Sequence, residues 1–171
     1  MPHKNLETLI KAYSIVKRCY QIPQCLVLAG KNDRLKEMLH KIIQQEGVEQ
    51  DVILTGVVEE VWKSPLYACA DLFVYPSLYE GFGLQAIEAM AHQIPVVITE
   101  IAALTEIAGD AAVRCDPRSA ENMAEAIYAV LSNQTLRASL IDKGNVRVQA
   151  FSWRTMARKT VEIYHAVLQE T

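Results

Sequence analysis

Helical and strand-like hydrophobic patterns alternate along this chain of 171 residues. The first helical pattern follows Asn5, a plausible N-cap, and places its apolar residues three and four positions apart. Five short apolar runs predict buried strands: CLVLAG, VILTG, DLFVYPS, PVVIT and AAVRCDP. Helical patterns lie between these runs, at about residues 33–45, 59–69, 83–92 and 104–109. This alternation predicts an α/β fold with a doubly wound, Rossmann-like parallel sheet.

The remainder of the chain has only helical patterns. Ser119 is predicted to cap one helix, a second covers about residues 134–148, and the last begins at Ser152. The last helix has one apolar face, formed by Trp153, Met156, Ala157, Val161, Tyr164 and Leu168. Its aromatic residues are expected in the core rather than in a site. Without a visible repeat or linker, residues 1–171 are predicted to form one domain.

The overall composition narrows the possible functions. Apolar residues make up 51% of the chain and the net charge is −3, which disfavours disorder and a nucleic-acid partner. The apolar runs are far shorter than the roughly 20 residues of a membrane span, and the start lacks a signal-peptide pattern. The four histidines show no metal-ligand spacing, so no metal site is predicted. The cysteines show neither zinc-type nor redox-type spacing and are expected to be reduced thiols of a cytoplasmic protein: Cys19, Cys25, Cys69 and Cys115.

The stretch PSLYEGFGLQAIEAMA holds the candidate chemistry. Glu80 follows a predicted strand end, where ligands bind to open parallel sheets, and Glu88 lies within the next helix. Carboxylates accept hydrogen bonds from vicinal hydroxyls, whereas the N–H groups at a helix start favour a phosphate. This arrangement indicates a ligand that carries both, such as a nucleotide sugar. A glycine turn before a helix is also common without any ligand, so spacing alone leaves that alternative open.

A longer match resembles a known family. The segment YPSLYEGFGLQAIEAMAHQIPVVITEIAALTEIAGDAAVRCDP is similar to the nucleotide-sugar-binding core of retaining glycosyltransferases of family 4, which have the GT-B fold. The likeness extends from KNLETLIKAY near the start to the closing FSW helix, so it covers nearly the whole chain. It implies the C-terminal, donor-binding domain of such an enzyme, among the group 1 glycosyl transferases.

The resemblance implies a role for each matching residue. Glu80 would accept hydrogen bonds from the donor sugar and Glu88 from the ribose, while Lys4 would neutralise the leaving diphosphate. Glu80 and Lys4 are thus the expected catalytic residues. The stretch GVVEE would flank the nucleotide base, mainly through its backbone. Four further residues are expected to line the sugar and diphosphate pocket: Gly81, Phe82, Gly83 and Leu84.

The sequence departs from the family pattern in three places. Gln93 replaces a glycine before Pro-Val-Val, and LTE replaces Leu-Pro-Glu, which should alter only loop geometry. The family also has a central strand ending in Gly-Arg before the first helix, whereas only MPH precedes Lys4 here. Without that strand, CLVLAG and DLFVYPS should expose two facing edges that lack main-chain partners. The N-terminal acceptor domain of the family is likewise not in this sequence.

The predicted function is donor binding in a retaining glycosyltransferase that uses a nucleoside diphosphate sugar, such as a UDP- or GDP-sugar, without a further cofactor. The chain alone is expected to be inactive and to need an N-terminal acceptor domain or a partner chain. The full enzyme is expected in the cytoplasm, in peripheral contact with a membrane. A non-catalytic nucleotide-sugar-binding or regulatory module remains the alternative. A generic receiver-type protein is disfavoured, because the strands CLVLAG and VILTG end in glycine rather than in acidic residues.

Overall fold

A computed structural model describes residues 2–31 and 35–169 of the chain. A short 3-10 turn, Pro2–Lys4, precedes the first helix. The strands are β1 (Leu26–Ala29), β2 (Val52–Gly56), β3 (Phe73–Tyr75), β4 (Val96–Thr99) and β5 (Ala112–Cys115). The helices are α1 (Leu6–Tyr20), α2 (Lys36–Glu46), α3 (Glu60–Ala68), α4 (Leu84–Ala91), α5 (Ala102–Ala108), α6 (Ala120–Ser132), α7 (Gln134–Val148) and α8 (Trp153–Gln169). Each predicted strand and helix is therefore present, although the predicted start of α2 at Asp33 lies outside the described residues.

The strands pair in parallel but form two separate sheets. One sheet joins β1 to β2, with Leu26 opposite Val52. In the other, β4 lies between β3 and β5. Over the described residues, β1 and β3 share no ladder. The α/β class and the parallel pairing are thus confirmed, and the break falls where the sequence predicts two unpaired edges.

Strand β4 shows that the larger sheet is covered on both faces. All four of its residues are buried. Val96 and Ile98 pack into a cluster with residues of α4 and α5, whereas Val97 packs with residues of α1 and α6. Because alternate strand residues point to opposite faces, helices lie on both sides of this sheet, as the doubly wound prediction requires.

The start of α1 is tied to the ends of two strands through Asn5. This residue is the N-cap, but it has a left-handed backbone (φ 54°) and its side chain does not cap the helix. The side-chain nitrogen Nδ2 of Asn5 donates instead to the carbonyl oxygens of Pro76, at 2.9 Å, and Pro117, at 2.7 Å. Those two prolines follow β3 and β5. Asn5 therefore holds its neighbour Lys4 close to the carboxyl ends of these strands. The predicted cap at Ser119 is confirmed by its hydrogen bond from the Asn122 amide.

Two helices contribute little to the core. In α8, Trp153 is 76% exposed and Tyr164 is 66% exposed, so the expectation that these aromatic residues lie in the core is wrong. Helical spacing identifies an apolar face, but it does not show what covers that face. Helix α3 has no buried residue, and Pro65 lies within it without ending it.

The cysteines carry no disulfide in the structure. Cys115 is buried, and burial raises the pKa of its thiol to about 12. The other three cysteines are exposed thiols. Over residues 2–31 and 35–169, each helix is too short or too polar to cross a bilayer.

Candidate functional site

The loop of residues 76–83, between β3 and α4, forms the centre of the candidate site. It leaves the sheet at the carboxyl end of β3, beside β4, where open parallel sheets bind ligands. The buried Thr99 hydroxyl, at the end of β4, donates to the carbonyl oxygen of Ser77. The Leu78 amide donates to the carbonyl oxygen of His3 at 2.7 Å. These bonds fix the loop on one side to β4 and on the other to the turn that carries Lys4.

Glu80 and Lys4 form an ion pair within this loop. Lys4 Nζ lies 2.7 Å from Glu80 Oε1, and the Ser77 hydroxyl donates to the same oxygen at 2.7 Å. The Glu80 side chain is only 14% exposed, compared with 36% for Lys4. The structure therefore joins the two residues that the family resemblance marks as catalytic, although they are 76 positions apart in the sequence.

The surroundings of Glu80 favour its charged form. Burial alone would raise the pKa of this carboxyl, but hydrogen bonds from Lys4 and Ser77 outweigh that effect and lower it. The charge of Lys4 and the Tyr75 hydroxyl act in the same direction. Lys4 Nζ also lies 5.5 Å from the centre of the Tyr75 ring. A carboxylate held in this state accepts hydrogen bonds and does not donate them.

Gly83 sets the junction between the loop and α4. Its backbone has φ +111°, and a Cβ atom built there would lie 2.7 Å from Leu104 Cδ2. A side chain at this position would therefore strain the backbone and displace the end of the Leu104 side chain. Gly83 is the N-cap of α4, and the first turn of that helix contains no acidic residue. The helix thus begins with N–H groups that lack an intrahelical partner, and no acidic residue within its first turn compensates the positive end of its dipole.

The remaining loop residues that the sequence singles out lie at the surface. Phe82 is 45% exposed and Leu84 is 54% exposed. The Phe82 ring meets the edge of the Phe151 ring, with 6.1 Å between their centres. Gly81 is also exposed, and a Cβ atom built there would contact nothing within 4 Å. This side of the loop is therefore open to a ligand.

Glu88 lies one turn beyond the start of α4 and is exposed. It shares a helix face with Leu84, because residues four positions apart lie one above the other. The Tyr67 hydroxyl, from α3, donates to Glu88 Oε2 at 3.0 Å. Glu80 and Glu88 thus flank the first turn of α4 along the chain, one in the preceding loop and one on the helix.

Three residues of this region were not identified from the sequence. Ser77 precedes Glu80 by three positions, a spacing that indicates a local hydrogen bond and could have been recognised. Tyr67 of α3 and His92, the residue that follows α4, gave no such signal. Tyr67 contacts Glu88, and Ser64 of α3 contacts His92, only because the two helices pack side by side. Over the described residues, no group of three or more His, Cys, Asp or Glu side chains is placed to hold a metal ion.

The arrangement combines the groups that a phosphorylated polyol requires. Carboxylates stand before and after a helix start, and a lysine ammonium lies beside the first of them. Carboxylates accept from hydroxyl groups, while the ammonium and the helix N–H groups donate to anionic oxygens.

The chain matches known proteins over most of its length. Residues 1–147 match the family model "Glycosyl transferases group 1". The chain is 31% identical over 163 residues to an O-antigen chain mannosyltransferase B of Escherichia coli, covering 95% of this chain and 43% of that protein. It therefore spans less than half the length of this relative.

Solved structures show the same fold. A sucrose-phosphate synthase of Thermosynechococcus elongatus is 28% identical, with a TM-score of 0.86 over all of this chain and 44% of its own length. A protein of Anabaena (Alr3699/HepE), solved in complex with UDP-glucose, is 25% identical, with a TM-score of 0.83 over 97% of this chain and 46% of its own length. The chain belongs to the group 1 glycosyl transferases and has the fold of the C-terminal half of a GT-B glycosyltransferase.

Proposed function

We propose that this chain binds a nucleoside diphosphate sugar and serves as the donor-binding domain of a retaining glycosyltransferase. The observation that carries the proposal is the ion pair of Lys4 and Glu80, 2.7 Å long, in the loop that leads into α4. The pair places a cation and a hydrogen-bond acceptor together at the carboxyl edge of the sheet. A donor substrate needs both at the bond that breaks, the cation for its diphosphate and the acceptor for its sugar.

The diphosphate is assigned to the start of α4. Gly83 is the N-cap of this helix, and the first N–H groups lack intrahelical partners, so they are free to donate to a phosphate. The Lys4 ammonium has three donor hydrogens and uses one of them for Glu80. A further donor can reach a phosphate oxygen while the ion pair stays intact. Lys4 can then stabilise the negative charge that develops on the leaving diphosphate.

The two glutamates are assigned to the two ends of the ligand. Glu80 is largely buried and held by Lys4 and Ser77, which suits recognition of hydroxyls on the transferred sugar. Glu88 is exposed on the next helical turn and is assigned to the ribose hydroxyls. The Anabaena protein in complex with UDP-glucose supports this class of ligand for the fold.

Sugar transfer is proposed to require a second domain or a partner chain. The relatives are more than twice as long as the matched region, which is 43% of the Escherichia coli protein. The edges of β1 and β3 that carry no strand partner within the described residues, and the exposed apolar residues of α8, offer surfaces for such a partner. A non-catalytic donor-binding module that pairs with another chain through the same edges is the second candidate.

Calorimetric titration of UDP, GDP and ADP against the purified chain tests donor binding. We expect one of them to bind and the Glu88→Ala variant to bind it about tenfold or more weakly, the loss typical of hydrogen bonds to a charged group. The matched control is Glu125→Ala, which removes an exposed glutamate from α6. Lack of binding by the unmodified chain, or equal affinity in the Glu88→Ala variant, would refute the proposal.

Nucleotide release from a donor sugar distinguishes the transferase from the non-catalytic module. The chain alone is expected to release no UDP from UDP-glucose and no GDP from GDP-mannose above the buffer rate. Turnover by the chain alone would contradict the need for a second domain. Where transfer is restored by a partner domain, proton NMR of the product should show that the anomeric configuration of the donor is retained.

A further inference from the structure

Helix α3 reaches the candidate site through one hydroxyl group. The Tyr67 hydroxyl donates to Glu88 Oε2 at 3.0 Å, and Tyr67 is half-buried although α3 has no fully buried residue. Burial, and then the nearby charge of Glu88, raise the pKa of this phenol. The hydroxyl therefore keeps its proton at neutral pH and remains a donor.

The Tyr67 ring is fixed by its neighbours. It stacks on the His92 ring, with 5.0 Å between centres and 24° between planes, and its other ring contact is Phe73 at 5.9 Å. His92 is held in turn, because its Nδ1 lies 2.8 Å from the Glu88 carbonyl oxygen and its Nε2 lies 2.9 Å from the Ser64 hydroxyl. Since a carbonyl oxygen only accepts, Nδ1 is the donor of the first bond. These contacts set the direction in which the phenol points.

This geometry has a consequence for Glu88. An exposed glutamate has three rotatable side-chain bonds and loses that freedom when it binds a ligand. A hydrogen bond to Oε2 restricts the carboxylate before binding, while Oε1 keeps its acceptor capacity. Two vicinal hydroxyls can then meet a carboxylate that is already oriented, which lowers the entropic cost of binding.

The geometry points to Tyr67 as a positioning residue that orients the Glu88 carboxylate toward the ribose of the donor nucleotide. This inference rests on the proposed function, in which Glu88 accepts hydrogen bonds from the ribose hydroxyls. Tyr67 acts only through Glu88 and makes no contact with the ligand itself. Its removal should therefore affect recognition of the ribose and leave recognition of the diphosphate and base unchanged.

Two nucleotides that differ only in the ribose give the test. The probes are whichever of UDP, GDP and ADP binds most tightly and its 2′,3′-dideoxy analogue, titrated against the unmodified chain and Tyr67→Phe. We expect Tyr67→Phe to weaken the ribonucleotide about 3- to 10-fold, the range for loss of one hydrogen bond. The affinity for the dideoxy analogue should not change, which also shows that the variant is folded.

A double-mutant cycle and a control complete the experiment. Tyr67→Phe should have no further effect in the Glu88→Ala background if the phenol acts through that carboxylate, because alanine leaves the hydroxyl without its acceptor. Tyr128→Phe is the matched control, because Tyr128 stacks on Tyr20 between α6 and α1, away from the site.

The possible results separate the two claims. Ribose discrimination in the unmodified chain that is lost in Glu88→Ala but unchanged in Tyr67→Phe would overturn the role of Tyr67 alone. Equal weakening of both nucleotides by Tyr67→Phe would likewise overturn it, because that result indicates a general structural effect. An unmodified chain that binds the ribonucleotide and the dideoxy analogue equally would refute the assignment of Glu88 to the ribose and the role of Tyr67 together, whereas a chain that binds neither nucleotide would refute the proposed function itself.

Discussion

The two glutamates of the candidate site differ in how the protein holds them. Glu80 is 14% exposed and paired with Lys4, which reaches it from 76 positions away, whereas Glu88 is exposed and restrained by one hydroxyl from α3. The Glu80 end is therefore part of the folded scaffold as well as of the site. The Glu88 end can be changed with little effect on the fold. The proposed ligand would thus contact a rigid part of the site at Glu80 and a less restrained part at Glu88.

The largest effect on stability is expected at Gly83, which lies between Glu80 and Glu88 along the chain. In Gly83→Ala, the new Cβ atom would meet Leu104 at 2.7 Å from a backbone with φ +111°. Backbone strain of about 1–2 kcal/mol and a steric cost of about 1–3 kcal/mol should lower the free energy of unfolding by about 2–5 kcal/mol. Urea denaturation of the variant measures this loss.

Gly81→Ala is the matched control for that substitution. A Cβ atom at this position contacts nothing within 4 Å, so the free energy of unfolding should change by less than about 0.5 kcal/mol. Equal losses in the two variants would show that the loop does not depend on Gly83 in the way the structure indicates.

The second effect concerns the ion pair. Lys4→Met leaves the largely buried Glu80 carboxylate without its cation and should lower the free energy of unfolding by about 1–3 kcal/mol. Lys11→Met is the control, because it removes an exposed lysine from its pair with Glu7 on α1 and should cost about 0.5 kcal/mol or less. If both variants unfold at the same urea concentration, the ion pair of Lys4 and Glu80 does not contribute to the stability of the fold.

The third effect is a dependence on pH. The pKa of Glu80 is lowered in the folded state from its ordinary value of 4.5, so the unfolded chain takes up this proton first as the pH falls. The stabilisation by Glu80 is therefore complete above about pH 4.5 and is lost as the pH falls through the lower folded value. Free energies of unfolding measured between pH 3 and 7 should fall less steeply in Lys4→Met and Glu80→Gln. Curves parallel to that of the unmodified chain would contradict the assignment.

The smallest effect on stability is expected at Glu88. Glu88→Ala should keep the free energy of unfolding within about 0.5 kcal/mol, because the side chain is exposed and accepts a hydrogen bond from the Tyr67 hydroxyl at the surface. The same substitution is expected to weaken nucleotide binding about tenfold or more. Thermal unfolding and calorimetry on one preparation compare the two. A large loss of stability in Glu88→Ala would show that Glu88, like Glu80, is part of the folded scaffold, and would contradict the comparison.

The fold could be predicted from the sequence largely because its patterns are local. The fully buried β4 reads as an unbroken apolar run, and the helix start near Gly83 is marked by its glycines. The break between β1 and β3 followed from the family resemblance. The covering of α8 could not be predicted, since Trp153 and Tyr164 have the spacing of a core face and are exposed all the same.

The site was predictable in part. The residues of the loop and Glu88 follow from their order along the chain, which the family resemblance supplies. The contact of Lys4 with Glu80 does not follow from that order. It depends on the hydrogen bonds by which Asn5 ties the start of α1 to the loops after β3 and β5. The contact of Tyr67 with Glu88 depends in the same way on how α3 packs beside α4.

A crystal structure of the chain with its tightest-binding nucleotide sugar tests the central claim most directly. We predict that ribose hydroxyl oxygens lie within about 3.2 Å of the Glu88 carboxylate, the ordinary range of a hydrogen bond. The diphosphate should lie at the first N–H groups of α4, near Lys4 Nζ, and the sugar should lie at Glu80. A nucleotide bound on another surface, or one whose ribose lies at Glu80, would contradict the account.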